Sequence, residues 1–349
     1  MQALTDAGYL SALIPKEFGG MGLGAFEASI ILEEVNRSGG NAAACHAQMY
    51  IMGALLRHGS EEQKRRYLPK IAAGKLRLQA FSVTEAEAGS DTTNIRTFAK
   101  REPDGYVVNG EKNWTSRIEQ SDLLMLLART APREAGNNRA QGISLFLIDL
   151  AEIRALQPDS LVTRPVRTMF NYATSQVVYK NMHIPLDSLI GEEGQGFRYV
   201  IDGWNAERIL LAAESIGDGY WFIERAAAYA KSREVFGGPI GKHQGVQFPI
   251  ARAYAQVCAA DMMRYRAAAL FDSSAPCGAE ANMAKLLASE ASWQAANVCL
   301  DTHGGNGFVD EYDVERKFRE TRLYQVAPVS NNLVLAHIAT HVLGLPRSY

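Results

Sequence analysis

The chain has 349 residues, of which 47% are hydrophobic, and a formal net charge of -2 at pH 7. This length exceeds one ordinary hydrophobic core, so two or three domains are expected. The near-neutral charge gives no attraction to nucleic acid or to an anionic membrane, and we find neither a secretion-signal pattern nor an apolar stretch that could span a bilayer. These features predict a globular, cytoplasmic protein that binds neither nucleic acid nor a membrane.

Residues 1–79 have the pattern of a helical domain. Residues 25–73 follow helical spacing, and Ser60 with Gln63 three positions later forms a capping box with acidic residues in the first turn. Residues 13–20 (LIPKEFGG) lead into a glycine-rich stretch that predicts a turn, because its spacing does not fit a dinucleotide-binding fingerprint.

Residues 80–192 change to a strand pattern. The dipeptides Asp104-Gly105 and Asn109-Gly110 predict turns. Runs of β-branched and long apolar residues predict strands at 106–108, 123–127, 143–148 and 176–179. This region is therefore predicted to form a middle domain built as an antiparallel sheet or a small β-barrel.

Residues 193–349 return to helical sequence. Stretches rich in Ala, Leu, Met and Arg cover residues 197–232, 243–272, 278–302 and 329–343. Long helices with short breaks predict a four-helix bundle. The predicted fold class is α+β, with an N-terminal helical domain, a middle β-barrel domain and a C-terminal four-helix bundle.

The cysteines and histidines give little sign of a metal site. The cysteines are far apart without CxxC spacing, which favours free thiols over disulfides or metal ligation: Cys45, Cys258, Cys277 and Cys299. His303, and the pair His337 and His341, are weak ligand candidates because helix histidines are more often ordinary polar groups. We expect no bound metal.

Residues 81–92 (FSVTEAEAGSDT) carry the most information about function. Thr84 and Ser90 can each donate and accept hydrogen bonds, and Gly89 lets the backbone approach a partner closely. Such a stretch can hold a flat polar ligand, although a solvated loop of small polar residues has the same composition. The run resembles the flavin-contacting segment VTEPxAGSD of the acyl-CoA dehydrogenase family, with Ala86 in place of the proline.

Three further segments carry the same resemblance. Residues 110–116 (GEKNWTS) are similar to the family's GxKxWIT or GxKxWIS, which implies that Trp114 covers the flavin ring and that Ser116 reaches its reactive nitrogen. Residues 233–237 (REVFG), followed by HQ at 243–244, resemble RxxFG and HQ, which implies that Arg233 reaches a neighbouring subunit's flavin pyrophosphate. A plain core tryptophan and a solvated arginine are the alternatives.

Residues 301–308 (DTHGGNGF) are similar to the family's QxxGGxGF, whose glycines lie against the adenine half of the cofactor. Asp301 replaces the usual glutamine. The FAD contacts that the resemblance implies are Phe81, Val83, Thr84, Gly89, Ser90, Trp114, Thr115, Ser116, Arg233, Phe236, His243, Gln244, Asp301, Gly304, Gly305, Ser330 and Asn332.

The catalytic base requires a choice between two positions. Removing a proton from the α-carbon of a thioester needs a carboxylate there, and most family members place it in a segment like YEGTSEIQ. In residues 319–332 (RETRLYQVAPVSNN), Pro328 falls at that place. A branch that includes the isovaleryl-CoA and long-chain types carries the glutamate earlier, in a segment similar to LERxxxA, and residues 205–212 (NAERILLA) match it.

The resemblance therefore implies Glu207 as the base, with Ser90, Asn205 and Arg208 at the substrate. A surface glutamate paired with a basic neighbour is the alternative.

The resemblance covers essentially the whole chain, apart from one or two helices that usually precede residues 13–20, so a short or truncated N-terminus is expected. It implies FAD-dependent dehydrogenation of an acyl-CoA to the trans-2-enoyl-CoA in fatty acid metabolism, with hydride transfer to flavin N5. It also implies a homotetramer and an electron-transfer flavoprotein as acceptor. A flavin-dependent oxidase or monooxygenase is the alternative, and a DNA-binding flavoprotein relative fits less well with the near-neutral charge.

Overall fold

The computed structural model describes residues 2–133, 138–170 and 173–347, and this part of the chain divides into two compact units. Unit 1 comprises Met1–Leu23 and Ala43–Trp204. Unit 2 comprises Gly24–Ala42 and Asn205–Tyr349. The helical sequence before residue 79 thus contributes to both units.

The predicted helical character of the first region is confirmed. Its helices are α1 (Gln2–Asp6), α2 (Ala25–Arg37), α3 (Ala43–His58) and α4 (Glu61–Ala72). The capping box at α4 is also confirmed, because the Gln63 amide nitrogen donates to Ser60 Oγ at 3.1 Å and the Ser60 nitrogen donates to Gln63 Oε1 at 2.9 Å. The Gln63 side-chain amide also donates to the carbonyl oxygens of Asp187 and Leu189, which ties α4 to the sheet domain within unit 1.

In the described part of the chain, unit 1 is built on a sheet of eight strands. The strands are β1 (Leu78–Ser82), β2 (Phe98–Glu102), β3 (Gly105–Ser116), β4 (Leu123–Arg129), β5 (Ile143–Asp149), β6 (Leu161–Val166), β7 (Thr174–Pro185) and β8 (Leu189–Ile190). Their order is β6-β7-β3-β2-β4-β5-β8, and β1 pairs with β4. Every side chain of β4 is buried, which explains why its sequence is a continuous apolar run. A short helix, α5 (Leu150–Leu156), follows β5.

The sheet is mixed. Most pairings are antiparallel, as predicted, but β1 and β2 each run parallel to β4. Alternation of side chains along a strand does not reveal the direction of its neighbour, so this feature is not readable from the sequence. The turn predicted at Asp104-Gly105 is confirmed between β2 and β3.

The turn predicted at Asn109-Gly110 is wrong. Both residues lie inside β3, where the register with β7 shifts between Val108 and Gly110. Gly110 has φ 150°, and a Cβ at this position would meet the Thr97 side chain at 2.5 Å. The glycine is therefore needed for close packing of neighbouring strands rather than for a turn.

Unit 2 is helical, as predicted. Its long helices are α6 (Gly196–Ser232, which starts in unit 1), α7 (Gln244–Asp272) and α8 (Gly278–His303), followed by α9 (Val314–Thr321) and α10 (Asn331–His337). The last predicted helix, at 329–343, is α10 continued by the π-helical turn Ile338–Val342. None of the helices in the described ranges combines the length and apolar character needed to cross a membrane.

Buried polar contacts attach α2 to the long helices of unit 2. The side chain of Asp272 accepts hydrogen bonds of 2.8 Å from the backbone nitrogens of Ala25 and Phe26 at the start of α2. Near its end, the Asn36 amide donates to Asp218 Oδ1 at 3.0 Å and to the Tyr324 hydroxyl at 2.9 Å.

Candidate functional site

Two of the segments that resemble flavin contacts, residues 81–92 and 110–116, lie side by side in unit 1 and are called its flavin segments below. The Asn113 nitrogen donates a 2.7 Å hydrogen bond to the Thr84 carbonyl oxygen. Ser82, two residues before Thr84, and Thr115, two residues after Asn113, share a buried 2.8 Å hydrogen bond between their hydroxyls. The Tyr179 hydroxyl donates to Ser82 Oγ at 2.7 Å. The end of β1 is therefore joined to the end of β3 by hydrogen bonds from side chains and backbone.

A buried ion pair reinforces this junction. The Lys112 ammonium is completely buried, donates to the Val83 carbonyl oxygen at 2.8 Å and lies 2.9 Å from a carboxylate oxygen of Glu85. The Glu85 carboxylate also accepts hydrogen bonds from the backbone nitrogens of Arg96 and Thr97. Burial lowers the pKa of Lys112 to about 8, although Glu85 acts in the opposite direction. Burial alone would raise the pKa of Glu85. The attraction of Lys112 and the hydrogen bonds to the carboxylate outweigh burial, so the pKa of Glu85 lies below its ordinary value.

Trp114 has an unusual conformation for a large side chain. Its φ is 60°, in the left-handed region, and its side chain is 56% exposed. It lies where the β3–β7 register shifts between Lys112 and Thr115, two residues that are buried. Backbone strain of this kind persists where flanking structure enforces it, and it is concentrated at ligand sites.

The other predicted flavin residues of unit 1 differ in exposure. Ser116 is half-buried and donates to Thr174 Oγ1 at 3.3 Å, whereas Thr115 is fully buried with its hydroxyl on Ser82. Gly89 and Ser90 are exposed after a tight turn, and a Cβ on Gly89 would meet no described atom within 4 Å. This open space is what a ligand lying close to the backbone requires.

An apolar recess in unit 1 adjoins the end of β1. It is lined mainly by aromatic and aliphatic side chains, among them Tyr50, Phe81, Met125, Val200 and Trp204. The ring centroids of Tyr50 and Phe81 are 6.1 Å apart. Phe81, predicted to contact the flavin, thus lines this recess.

The predicted base and its neighbours share one turn of α6. Glu207 is buried, with 5% of its surface exposed. Arg208 is half-buried, and one of its terminal nitrogens lies 3.3 Å from Asn205 Oδ1, to which it donates. Burial lowers the pKa of Arg208, and the adjacent Glu207 raises it. A glutamate that is 5% exposed is not a surface residue, which is the position that the alternative of a surface glutamate with a basic partner requires.

The segment around Pro328 is held by a buried lysine instead of carrying a carboxylate. The Lys285 ammonium, fully buried, donates to the Val329 carbonyl oxygen at 2.6 Å and to Asn331 Oδ1 at 2.7 Å. Burial, with a further contribution from Arg208, lowers the pKa of Lys285 to about 7.

Two predicted cofactor contacts follow Val329. Ser330 is the N-cap of α10, with its Oγ accepting from the Leu333 nitrogen at 3.4 Å, and Asn332 is exposed. The Ser330 hydroxyl therefore already has a role in the helix start.

Arg233 and Phe236 lie on a short hairpin between α6 and α7. The hairpin is closed by hydrogen bonds from the Val235 nitrogen to the Gly238 carbonyl at 2.9 Å and from the Ile240 nitrogen to the Arg233 carbonyl at 2.8 Å. Phe236, with φ 53°, is 96% exposed, and Arg233 is exposed beside it. His243 and Gln244, at the start of α7, are also exposed.

The glycine-rich turn at the end of α8 is anchored by a buried histidine. Gly304 ends the helix with φ 57° and ψ −133°, a conformation that favours glycine. His303 is buried, its Nδ1 lies 2.8 Å from the Cys299 carbonyl oxygen, and its ring stacks on Tyr229 at a centroid distance of 4.2 Å. The predicted cofactor contacts in this turn are exposed: Asp301, Gly304 and Gly305.

Sequence reasoning missed three buried groups at these sites. Glu85 and Lys112 lie within the two quoted flavin segments, so their charged side chains amid hydroxyl and aromatic residues were the available signal. Lys285 lies inside an ordinary helical stretch and had no such signal. Within the described residues, no group of three or more His, Cys, Asp or Glu side chains could hold a metal ion.

Comparison with protein families gives a match to three consecutive domain families. These are the acyl-CoA dehydrogenase N-terminal domain over residues 1–75, the middle domain over residues 80–182 and the C-terminal domain over residues 194–343. The chain is 35% identical over 347 residues to the acyl-CoA dehydrogenase FadE12 of Mycobacterium tuberculosis, and the match covers 98% of this chain and 87% of that protein.

Solved structures share the fold with this chain, among them the following two. The structure of glutaryl-coenzyme A dehydrogenase with glutaryl-CoA matches with a TM-score of 0.90 and 30% identity, covering 99% of this chain and 87% of that one. PigA with FAD and proline matches with a TM-score of 0.89 and 27% identity, covering 98% and 88%.

Proposed function

The chain belongs to the acyl-CoA dehydrogenase family, and from this premise we propose that it catalyses the FAD-dependent α,β-dehydrogenation of an acyl-CoA thioester. The observation that carries this proposal is the junction in unit 1, where a backbone hydrogen bond from Asn113 to Thr84 joins both flavin segments. Beside it stand an exposed, strained Trp114 and the hydroxyl of Ser116.

The residues present fit a bound FAD. Around the flavin ring, Thr84 and Ser116 offer hydroxyl groups, Trp114 offers an exposed aromatic face, and Gly89 leaves room for close approach. The exposed guanidinium of Arg233 suits a pyrophosphate, since its planar donors match pairs of phosphate oxygens. When bound, the flavin supplies a hydride acceptor at N5.

Glu207 is the proposed base. In this reaction the carboxylate takes the proton from the α-carbon, while the hydride leaves from the β-carbon, so one C–H bond breaks at each carbon and a double bond forms between them. Two observations support this assignment: Pro328 stands where most of the family has its glutamate, and Glu207 is buried. Arg208 and Asn205, hydrogen-bonded to each other on the same helix turn, are proposed to contact the substrate.

The proposed assembly is a homotetramer that delivers electrons to an electron-transfer flavoprotein. Phe236 is 96% exposed, and α7 carries large apolar side chains that are more than half exposed, namely Phe248, Tyr254 and Met262. Apolar exposure of this kind on unit 2 favours a protein partner. A second copy of the chain would bring Arg233 to a neighbouring cofactor and give a closed symmetric assembly.

An oxidase or monooxygenase on the same fold is the second candidate. Two observations favour it: Pro328 stands where most of the family has its glutamate, and a solved structure with the same fold is that of the prolyl acyl carrier protein oxidase AnaB. Such an enzyme would consume oxygen with its own substrate instead of passing electrons to another protein.

The deciding experiment is anaerobic reduction of the bound flavin by a panel of acyl-CoAs of different chain length and branching. Bleaching of the flavin absorbance by one or more acyl-CoAs, with formation of the enoyl-CoA, is the expected result. Failure of the whole panel, together with substrate-dependent oxygen uptake with non-CoA substrates, would establish the second candidate instead.

A further inference from the structure

One buried ion pair connects the two flavin segments of unit 1. Lys112 is completely buried and Glu85 is 10% exposed, with 2.9 Å between the ammonium nitrogen and a carboxylate oxygen. The same ammonium donates a 2.8 Å hydrogen bond to the carbonyl oxygen of Val83, the residue before Thr84. Neither charged residue lies among the predicted contacts to the cofactor.

A contribution to the stability of the fold does not by itself explain why these two charges are buried. Burying two charges costs desolvation energy, and apolar side chains of similar volume often stabilise a fold as well or better. The hydrogen bonds suggest a more specific role, because they fix backbone rather than side chains. Glu85 accepts from the backbone nitrogens of Arg96 and Thr97, and Lys112 holds the Val83 carbonyl.

We propose that Lys112 and Glu85 are positioning residues of the flavin site, which hold the 83–85 backbone so that Thr84 presents its hydroxyl to the flavin ring. The carbonyl oxygens on both sides of this hydroxyl are engaged within unit 1, that of Val83 by Lys112 and that of Thr84 by the Asn113 nitrogen. The inference rests on the proposed function only in taking the ligand to be FAD.

Unit 2 contains a matched pair that serves as a control. The buried Lys317 ammonium pairs with the buried Asp218 carboxylate and donates a 2.9 Å hydrogen bond to the Gly40 carbonyl oxygen. This pair also joins an ammonium to a carboxylate, its lysine is as buried as Lys112, and that lysine likewise donates to a backbone carbonyl oxygen. It touches none of the predicted FAD contacts, so its loss should affect folding alone.

The test measures the dissociation constant of FAD and the unfolding temperature of the FAD-free protein for Lys112→Met, Lys317→Met and the double variant Glu85→Gln with Lys112→Met. Hydrogen bonds to charged groups are worth about 1.5–3 kcal/mol, so Lys112→Met should weaken FAD binding by about tenfold to a hundredfold. The visible spectrum of the bound flavin should shift as well. Lys317→Met should lower the unfolding temperature and leave the FAD dissociation constant unchanged.

The double variant distinguishes a role of Lys112 in positioning the backbone from a role in neutralising the buried charge of Glu85. It removes both buried charges, so we expect its unfolding temperature to recover, while FAD binding stays weak because the Val83 carbonyl still lacks its donor. Recovery of FAD binding together with stability would overturn the proposal, and so would wild-type binding in Lys112→Met. If Lys112→Met does not fold, the FAD dissociation constant of the double variant alone tests the proposal. These readouts involve no acyl-CoA, so they remain valid if the proposed reaction is wrong.

Discussion

The flavin-ring residues of unit 1 and the proposed pyrophosphate and adenine residues of unit 2 differ in how the chain itself holds them. In unit 1, Thr84, Thr115 and Ser116 are connected to neighbouring strands by hydrogen bonds that are largely buried. In unit 2, Arg233 stands exposed on the hairpin after α6, and Gly305 stands exposed in the short 3₁₀ turn after α8. Hydrogen bonds within the chain thus fix the first region, whereas the second offers exposed groups for contact with a ligand or a neighbouring subunit.

The two regions share one feature that sharpens this contrast. Each carries an aromatic residue in the left-handed region, Trp114 with φ 60° and Phe236 with φ 53°. Trp114 is flanked by the buried residues Lys112 and Thr115, which enforce its backbone. Phe236 lies on a hairpin closed by backbone hydrogen bonds and is almost fully exposed. We expect strain in unit 1 to serve the flavin and strain in unit 2 to serve a neighbouring subunit.

The largest effect is expected for Glu207→Gln, which should leave both cofactor regions intact. The substitution keeps size and hydrogen bonding but removes the proton acceptor, so flavin reduction by acyl-CoA should slow by about 10²–10⁴-fold. FAD content should be unchanged. The matched control is Glu224→Gln, an exposed glutamate on the same helix that pairs with Arg37. Flavin reduction at wild-type speed in Glu207→Gln would place the base elsewhere and favour the oxidase candidate.

Phe236→Ser tests whether FAD binding by the exposed residues of unit 2 depends on assembly of the tetramer. An aromatic residue at the centre of an interface typically contributes about 2 kcal/mol or more, so loss of Phe236 should shift the tetramer to smaller species and lower FAD occupancy. Light scattering and the ratio of flavin to protein absorbance measure the two effects. Leu156→Ser, an exposed apolar residue of unit 1, is the control and should change neither. A wild-type protein that is monomeric and saturated with FAD would contradict the proposed homotetramer.

Trp114→Gly tests strain in unit 1. Glycine adopts φ 60° without steric cost, so the free energy of unfolding of the FAD-free protein should rise by about 1 kcal/mol. The bound flavin should become more fluorescent, because it loses an aromatic neighbour. Trp114→Phe keeps both the strain and the ring, and should resemble the wild type in both respects. A loss of stability in Trp114→Gly would show that packing of the indole outweighs backbone strain.

The last prediction concerns the pH dependence of stability at two buried lysines. Lys112 has a carboxylate partner, whereas Lys285 contacts carbonyl and amide oxygens. Burial lowers the pKa of Lys285 from 10.5 to about 7, so between these values the unfolded chain binds more protons than the folded one. Raising the pH through this range should therefore stabilise the wild type relative to Lys285→Met. Burial lowers the pKa of Lys112 to about 8, so for Lys112 the same gain in stability should start only near pH 8. Unfolding temperatures measured across the range check both, and a decrease with pH would contradict the assignment.

Much of the fold was predictable because local signals and tertiary packing agree. Helical spacing located α6, α7 and α8 to within a few residues, and the Ser60 capping box marked the start of α4. The Asn109-Gly110 turn failed because the same dipeptide that suits a hairpin also suits a strand position packed closely against Thr97. Which of the two applies depends on how β3 packs against Thr97 and pairs with β7, and the dipeptide itself carries no information about either contact.

The sequence by itself determined the order of helical, sheet and helical regions, the family and the candidate flavin segments, because periodicity and motifs are local properties of the chain. Only the tertiary structure decided that α2 belongs with the long helices of unit 2, and that Lys112 and Glu85 connect the flavin segments. It also decided that Lys285 holds the segment around Pro328. These contacts join residues far apart along the chain, and burial, which gives them their energetic weight, exists only once the chain has folded.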